Sequence, residues 1–206
     1  MVGRISKTEA NARQQEILDV TADLYQTIPF HDLNLKMIGE RLSFTRTAIY
    51  TYFNNIEEIF LAILEREYCQ WNQDLKALLA GPKMTRDQLA DAIAESLAKR
   101  LLMLKILAVD MSSLDAKSRL TSLIELKAAY GRAIELLHQL LGYNFPEMTD
   151  EKIDQVVFAF MPFLYGVYPY TIVTEKQKTA MEEAQVAYVY WTPEAMISNC
   201  LLTLLK

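Results

Sequence analysis

Residues 34–53 read NLKMIGERLSFTRTAIYTYF, which is the pattern of two short helices joined by a tight turn. Asn34 is a good cap for the first helix, because its side chain can accept hydrogen bonds from the first free N–H groups. The pair Ser43-Phe44 is expected to form the turn. Gly39 lies in the first helix, where a glycine costs about 1 kcal/mol relative to alanine. Its presence predicts that another helix crosses closely at that point.

The second helix of this stretch combines an apolar face with short polar and aromatic side chains. Thr45 is its predicted cap, and Ile49 and Phe53 are expected to face inward. The other positions can reach base edges or phosphates: Thr45, Arg46, Thr47, Tyr50 and Thr51. A helix-turn-helix places such a helix in the major groove of DNA, so we expect this stretch to bind DNA.

Helical patterns continue on both sides of the stretch. A first helix is expected from about Thr8 until Pro29, because the residue before a proline is driven out of the α region. Asn55 and Glu58 form an Asn version of the capping box, which predicts a long helix to about Leu79.

The remaining residues indicate a helical bundle. Thr85 is a predicted helix cap, and residues 118–141 place apolar side chains three and four positions apart, which is typical of one helix face. Gly142 is expected to end that helix. Thr149 or Asp150 and then Thr192-Pro193 are expected to start the last two long helices.

These patterns predict an all-α fold class, because helix formers dominate and no alternating strand pattern occurs. The expected organisation is an N-terminal three-helix helix-turn-helix domain at residues 8–54 and a helical domain at residues 55–206. Residues 55–79 would link the two. A chain of 206 residues is long enough for this arrangement.

The charge distribution predicts modest affinity for nucleic acid. The net charge is −5, whereas DNA-binding proteins are often basic. Residues 34–53 nevertheless contain Lys36, Arg41 and Arg46 against one acidic residue, Glu40. We therefore expect weak nonspecific binding with a shallow dependence on salt.

Other sequence features favour a cytoplasmic protein without a membrane span, a metal or a cofactor. The N-terminus lacks the apolar core of a signal peptide. Val156–Val173 carries no formal charge and approaches the minimum length of a transmembrane helix, but Pro162 and Pro169 favour a kinked core or interface helix. Cys69 and Cys200 lack metal-ligand spacing and suit a reducing compartment.

Three short patterns occur without gaps between about residues 13 and 64. They are Ile17-Leu18-x-x-Thr21-Ala22-x-Leu24-Tyr25, then Leu35-x-x-Ile38-Gly39, and Ile49-Tyr50-x-Tyr52-Phe53 followed by Glu57-Glu58-Ile59. This block resembles the N-terminal domain of the tetracycline-repressor (TetR) family of bacterial regulators. The resemblance covers a quarter of the chain, and the tyrosine-rich end is its most specific part.

The resemblance implies which side chains contact DNA. Residues 45–47 fall at the base- and phosphate-contacting start of the family's recognition helix, and Tyr50 and Tyr52 fall at its aromatic contact positions. Lys36 matches a position of the second helix that often contacts DNA. The full predicted DNA-binding set is Lys36, Thr45, Arg46, Thr47, Tyr50, Thr51, Tyr52 and Asn54.

The chain departs from the family pattern at three places. Ser43 stands where a turn glycine is usual, and serine is unfavourable in a left-handed conformation. Asn54, Asn55 and Ile56 stand where lysines are common, and Ile28-Pro29 replaces a glycine. We expect the geometry of DNA recognition to be kept and its electrostatic attraction to be weakened.

The C-terminal part contains adaptable and aromatic side chains suited to an apolar ligand pocket. The predicted ligand-binding set is Met103, Asp110, Met111, Tyr130, Phe158, Met161 and Tyr165. The alternative for each residue is a place in the core or in an interface. Asp110 is the unusual member, since a carboxylate in an apolar stretch either contacts a ligand or sits at a helix end.

We therefore expect a transcriptional regulator, a ligand-responsive repressor that binds a palindromic DNA operator as a homodimer. By resemblance, the dimer would form through residues of about 150–173 and 193–205, and the effector would be a largely apolar small molecule. The alternative is a helical interaction or adaptor protein with a degenerate DNA-binding element. An enzyme is not expected, because His31 and His138 are the only histidines and no catalytic motif occurs.

Overall fold

The structure, a computed structural model, describes residues 6–109 and 111–206. Its helices are α1 (Lys7–Thr27), α2 (Leu35–Gly39), α3 (Ile56–Leu79), α4 (Arg86–Ala98), α5 (Leu101–Leu107), α6 (Met111–Lys117), α7 (Leu120–Asn144), α8 (Asp150–Thr171), α9 (Glu175–Glu183) and α10 (Pro193–Leu204). Two short 3₁₀ helices lie at Phe30–Asp32 and Arg46–Thr51. No strand occurs in this described part of the chain, and the predicted all-α class is confirmed.

The chain divides into two compact units. The first comprises Met1–Arg66 and Val109–Ala128, and the second comprises Glu67–Ala108 and Ala129–Lys206. Two of the three boundaries fall inside a continuous helix, one in α3 and one in α7, and the third follows α5. The domain limits expected from the sequence, 8–54 and 55–206, remain a prediction about folding domains.

The first unit is built around apolar side chains on the inward faces of its helices. Ile17, Leu24, Ile38, Ile49 and Phe53 are all buried. α1 ends where expected, since its C-cap Ile28 has extended backbone angles directly before Pro29. α2 packs against both α1 and the 3₁₀ helix Arg46–Thr51.

The second unit has its own core, in which α10 packs on α4 and α8, and α5 packs on α8. Leu89, Ile93 and Leu97 of α4 are buried and lie four positions apart, on one face of the helix. Trp71 of α3 is fully buried, and its indole N–H donates to the Ser96 hydroxyl at 3.0 Å. This hydrogen bond satisfies the polar atom of a large side chain that would otherwise be costly to bury.

Three predicted helix caps of the second unit are confirmed, and one predicted helix end is wrong. Thr85, Thr149 and Thr192 all accept a backbone N–H in the first turn of the helix that follows. Gly142 does not end α7, which continues to Asn144. Asn144 ends the helix with tertiary support, because its side chain accepts the N–H of Met84 at 2.6 Å.

α8 contains both Pro162 and Pro169 within one helix, with Val156, Val157, Phe160, Met161, Leu164 and Val167 buried. Over the described residues, no single helix is long and apolar enough to cross a membrane. Two consecutive helices, Asp150–Thr171 and Glu175–Glu183, reach the length and apolar composition of a membrane span only when they are taken together. The angle between them is 83°.

Candidate nucleic-acid interface and ligand-binding residues

The second helix of the helix-turn-helix is a 3₁₀ helix, Arg46–Thr51, which we call the recognition segment. The N–H of Ala48 bonds the carbonyl of Thr45, and the N–H of Tyr52 bonds that of Ile49, both at 2.9 Å. The sequence predicted a short helix here, but it did not predict that the helix would be of the 3₁₀ type. β-branched and aromatic residues weaken the α-helix, and 3₁₀ hydrogen bonding is common in short helices. Thr45 precedes the segment but makes no capping hydrogen bond.

A carboxylate from α1 holds the turn before the recognition segment. The backbone N–H of Ser43 and its hydroxyl both donate to Glu16, the hydroxyl at 2.7 Å. Gln185 is the one non-glycine residue with positive φ in residues 6–109 and 111–206, so Ser43 is not left-handed. The expected cost of serine in this turn is therefore absent. Sequence patterns did not reveal Glu16, because it lies 27 residues before its partner.

The close crossing predicted at Gly39 is formed by the recognition segment itself. A Cβ placed on Gly39 would lie 2.5 Å from Cγ and 2.6 Å from Cβ of Arg46. The aliphatic base of the Arg46 side chain therefore occupies the space that glycine leaves free. This contact fixes the start of the recognition segment against α2.

Most of the predicted DNA-binding side chains are open to solvent. Thr45, Arg46, Thr47, Thr51 and Asn54 are exposed, as is Tyr50, and Tyr52 is half-buried. The Thr47 hydroxyl donates to that of Thr45 at 3.2 Å. Lys36 is exposed on α2, where its ammonium lies 3.9 Å from Glu40. The structure thus brings residues 45–51 together on one short helix, with Lys36 on the helix that packs against it.

The chain just after the recognition segment is held by Glu58, whose side chain is fully buried. Its carboxylate accepts the N–H of Asn54 at 2.9 Å and the Arg119 guanidinium at 2.7 and 2.8 Å. The Asn55 side chain accepts the N–H of Glu58 at 2.9 Å, which is half of the predicted capping box. The other half differs, because the Glu58 carboxylate reaches Asn54 instead of Asn55.

Glu58 should make the stability of the protein depend on pH. Burial alone raises the pKa of Glu58, but hydrogen bonds from Arg119 and Asn54 outweigh it and hold the pKa below its ordinary 4.5. A lowered folded-state pKa contributes stability that is present above 4.5 and is lost as the pH falls through the folded value. We expect Glu58→Gln to cost about 1.5–3 kcal/mol at pH 7, with the cost shrinking below pH 4.5. Urea unfolding of the wild type and of Glu58→Gln from pH 7 to 3 measures this cost. A difference in unfolding free energy that stays constant with pH would contradict the lowered pKa of Glu58.

The predicted ligand-binding residues fall into different surroundings. Met103 and Met161 are buried in α5 and α8, which pack together. Tyr130 is half-buried, and its ring meets that of buried Tyr68 edge-on, with centroids 5.7 Å apart. Burial, with Tyr165 and Tyr130 nearby, raises the pKa of Tyr68. Tyr68 is a member of this aromatic group that the sequence patterns did not single out.

The remaining members of that set are exposed, lie in the other unit or lie outside the described residues. Phe158 is 59% exposed on α8, and Tyr165 is 37% exposed. Met111 is half-buried and belongs to the first unit, whereas the second unit contains Met103, Tyr130, Phe158, Met161 and Tyr165. Asp110 lies outside the described residues. The set as a whole therefore remains a prediction.

The second unit carries an open apolar groove of about 520 Å³ between α8, α10 and the chain before α10. Its walls include Phe163, Tyr170, Tyr188, Trp191, Met196 and Leu204. Among the described members of the predicted ligand-binding set, none lines this groove. The aromatic residues Tyr188, Tyr190 and Trp191 were the available sequence signal for this groove.

Family comparisons match both parts of the chain. The family described as bacterial regulatory proteins, tetR family, matches residues 17–63, and the tetracyclin repressor-like C-terminal domain matches residues 65–206. The uncharacterized HTH-type transcriptional regulator YfiR of Bacillus subtilis (strain 168) is 31% identical over 65 residues, 32% of each protein. The chain thus spans about a third of the length of this curated relative.

Solved structures share the fold over almost the whole chain. The fatty acid degradation regulator FadR from Bacillus halodurans has a TM-score of 0.62 at 14% identity and covers 94% of each chain. The MbdR regulator from Azoarcus sp. CIB has a TM-score of 0.59 at 19% identity, covering 94% of this chain and 97% of its own. FadR from Bacillus subtilis in complex with stearoyl-CoA has a TM-score of 0.58 at 14% identity, covering 93% of this chain and 96% of its own. At these identities the likeness establishes the fold alone.

Proposed function

The chain belongs to the TetR family of bacterial transcriptional regulators, and on that premise we propose that it is a cytoplasmic repressor that reads a palindromic operator through the recognition segment. The observation that carries this proposal is the exposure of residues 45–47 and Tyr50 on a segment whose apolar residue Ile49 is buried. Arg46 supplies the base-reading group. In the described part of the chain its guanidinium has no ion-pair partner, so it is available to DNA.

The electrostatic contribution to DNA binding should be small. The chain lacks lysines at positions 54–56, and the Lys36 ammonium already lies near Glu40. Few phosphates would therefore be neutralised, which predicts a shallow dependence of affinity on salt. Specificity would rest on direct contacts from Arg46 and Tyr50.

We propose that the protein acts as a homodimer through α8 and α10. Phe158, Pro162, Tyr165 and Pro169 are exposed at spacings of four, three and four, so they share one face of α8. The apolar groove between α8 and α10 adds exposed apolar surface to the same two helices. Exposed apolar patches of this kind are typical of protein interfaces. Two recognition segments of a dimer would then meet DNA about 34–36 Å apart.

We propose that a largely apolar effector binds the second unit near Tyr68, Tyr130 and the buried methionines. Fatty acyl-CoA is the first class to test, because one regulator of the same fold is solved with stearoyl-CoA. An effector acts only if it prefers the conformation that binds DNA poorly. α3 is continuous from the first unit into the second, so it is the element that we expect to transmit the change.

Gel-shift titration against the DNA upstream of the protein's own gene tests the DNA-binding proposal. Arg46→Ala is expected to weaken sequence-specific binding about 10- to 100-fold, since a bidentate arginine–base contact contributes about 1–3 kcal/mol. Arg132→Ala is the charge-matched control. Arg132 is in the second unit and pairs with Glu135 on its own helix, so its loss should change affinity less than twofold.

Two results would count against this function. Equal losses of DNA affinity in Arg46→Ala and Arg132→Ala would show that the recognition segment does not contact DNA. Absence of binding to any duplex at low salt would instead favour a helical interaction or adaptor protein whose DNA-binding element has degenerated.

A further inference from the structure

The main chain that follows the recognition segment is bonded to residues far along the sequence. The Arg119 guanidinium donates to the carbonyl of Tyr52 at 3.0 Å and also pairs with Glu58. The backbone N–H of Arg119 donates to the same Glu58 carboxylate at 3.0 Å. Glu58 in turn accepts the N–H of Asn54. We call Arg119 and Glu58 the Arg119 clamp.

A second set of bonds lies beside the clamp. The Asn55 amide donates to the carbonyl of Lys117 at 2.8 Å, and the Lys117 ammonium lies 2.9 Å from Glu57. Both sets join residues 52–58 to residues 117–119, and all of these residues belong to the first unit. Only the clamp reaches the main chain of Tyr52 and Asn54, two residues of the predicted DNA-binding set.

We propose that Arg119 is a positioning residue for DNA binding, which with Glu58 fixes the C-terminal end of the recognition segment. This proposal rests on the proposed function for its consequence at DNA. The recognition segment is short and ends at Thr51, and beyond that point its own bonds run from the N–H groups of Tyr52 and Phe53 to the Ile49 carbonyl. The clamp adds bonds to the Tyr52 carbonyl and the Asn54 N–H, from a guanidinium and a fully buried carboxylate. Charge-assisted bonds of this kind are strong and directional.

Two other roles of Arg119 give different results. Its side chain is 48% exposed, so it could bind a DNA phosphate directly. In that case its loss would reduce the slope of log affinity against log salt by about one. A merely structural role would lower the stability of the protein and leave the affinity of the folded fraction unchanged.

Lys117→Ala is the matched control for Arg119→Ala. It removes one positive charge two residues away and breaks the ion pair with Glu57, but it leaves the bonds to Tyr52 and Asn54 in place. The Lys117 carbonyl that accepts from Asn55 is also unchanged. Arg119→Lys keeps the charge and loses the planar fork that reaches both Glu58 and Tyr52.

The experiment combines operator titration with hydrogen–deuterium exchange on the full chain, under conditions where every variant is folded by circular dichroism. Arg119→Ala is expected to weaken operator binding about 10-fold with an unchanged salt slope, and Arg119→Lys should not rescue it. Amide exchange of the peptide spanning residues 52–54 should quicken about 10-fold in Arg119→Ala, because the guanidinium no longer holds the Tyr52 carbonyl or the Glu58 carboxylate that accepts the Asn54 N–H. Lys117→Ala should change each quantity less than twofold.

Unchanged exchange at residues 52–54 in Arg119→Ala would overturn the clamp. So would equal effects in Lys117→Ala, or a reduced salt slope that is rescued by lysine. Failure of the wild-type protein to bind any duplex would instead refute the proposed function. The exchange measurement decides the clamp in either case, because it needs no DNA.

Discussion

Phe60→Ala is expected to lower the free energy of unfolding by about 3–5 kcal/mol, the usual cost of removing a buried aromatic side chain. Phe60 is fully buried in α3, and the rings of Tyr25 and Phe30 contact its ring edge-on. Its ring centroid lies 4.9 Å from that of Tyr25 and 4.8 Å from that of Phe30. Edge-to-face pairs contribute beyond the area that they bury. Since small domains are stable by only about 5–15 kcal/mol, the first unit should be largely destabilised.

Urea unfolding followed by circular dichroism measures this loss, with Tyr50→Ala as the control. Tyr50 is an aromatic residue of the same unit, but it is 57% exposed. Its removal should change the unfolding free energy by about 0.5 kcal/mol or less. Similar unfolding midpoints for the two variants would show that the cluster of Tyr25, Phe30 and Phe60 is not the core of the first unit.

Gly39→Ala is expected to weaken operator binding about 10- to 100-fold, as much as the loss of one arginine–base contact of about 1–3 kcal/mol. The new methyl group would lie 2.6 Å from Cβ of Arg46. Because that atom is attached directly to the backbone, rotation of the side chain cannot remove the clash. The recognition segment must therefore move, and Arg46 moves with it.

Gly131→Ala is the control for this substitution. A Cβ at Gly131 would meet nothing within 4 Å, and the residue lies inside α7. Alanine there should leave operator binding unchanged and add about 0.5–1 kcal/mol to the unfolding free energy. If the clash with the Arg46 side chain is the cause, Gly39→Ala should cost little more in an Arg46→Gly background, which removes both clashing atoms. Additive losses in the double variant would refute that route.

Most helix starts were predictable because a helix cap depends on neighbouring residues. The caps at Asn34, Thr85 and Thr192 each bond an N–H two or three residues away. The buried faces of α1 and α4 follow from apolar residues spaced three and four apart. Gly39 also predicted a close crossing correctly, since an unfavourable residue in a helix indicated a steric demand.

Other features were not predictable from local patterns. The recognition segment formed a 3₁₀ helix, and α7 passed through Gly142 to reach Asn144, whose partner Met84 lies 60 residues away. Ser43 avoided a left-handed conformation, and Glu16 of α1 bonds it. Local propensity does not contain the position of a distant hydrogen-bond partner.

The sequence by itself determined the all-α class, most helix starts and the family. It did so because helix caps, apolar periodicity and sequence motifs each involve residues that are close together in the sequence. Only the tertiary structure decided how residues 34–53 are held, through Glu16 before the recognition segment, Arg46 packed on Gly39, and Glu58 with Arg119 after it. The physical reason is distance along the chain. The bonds from Glu16 and Arg119 join residues 27 to 67 positions apart, and such contacts exist only after the helices have packed.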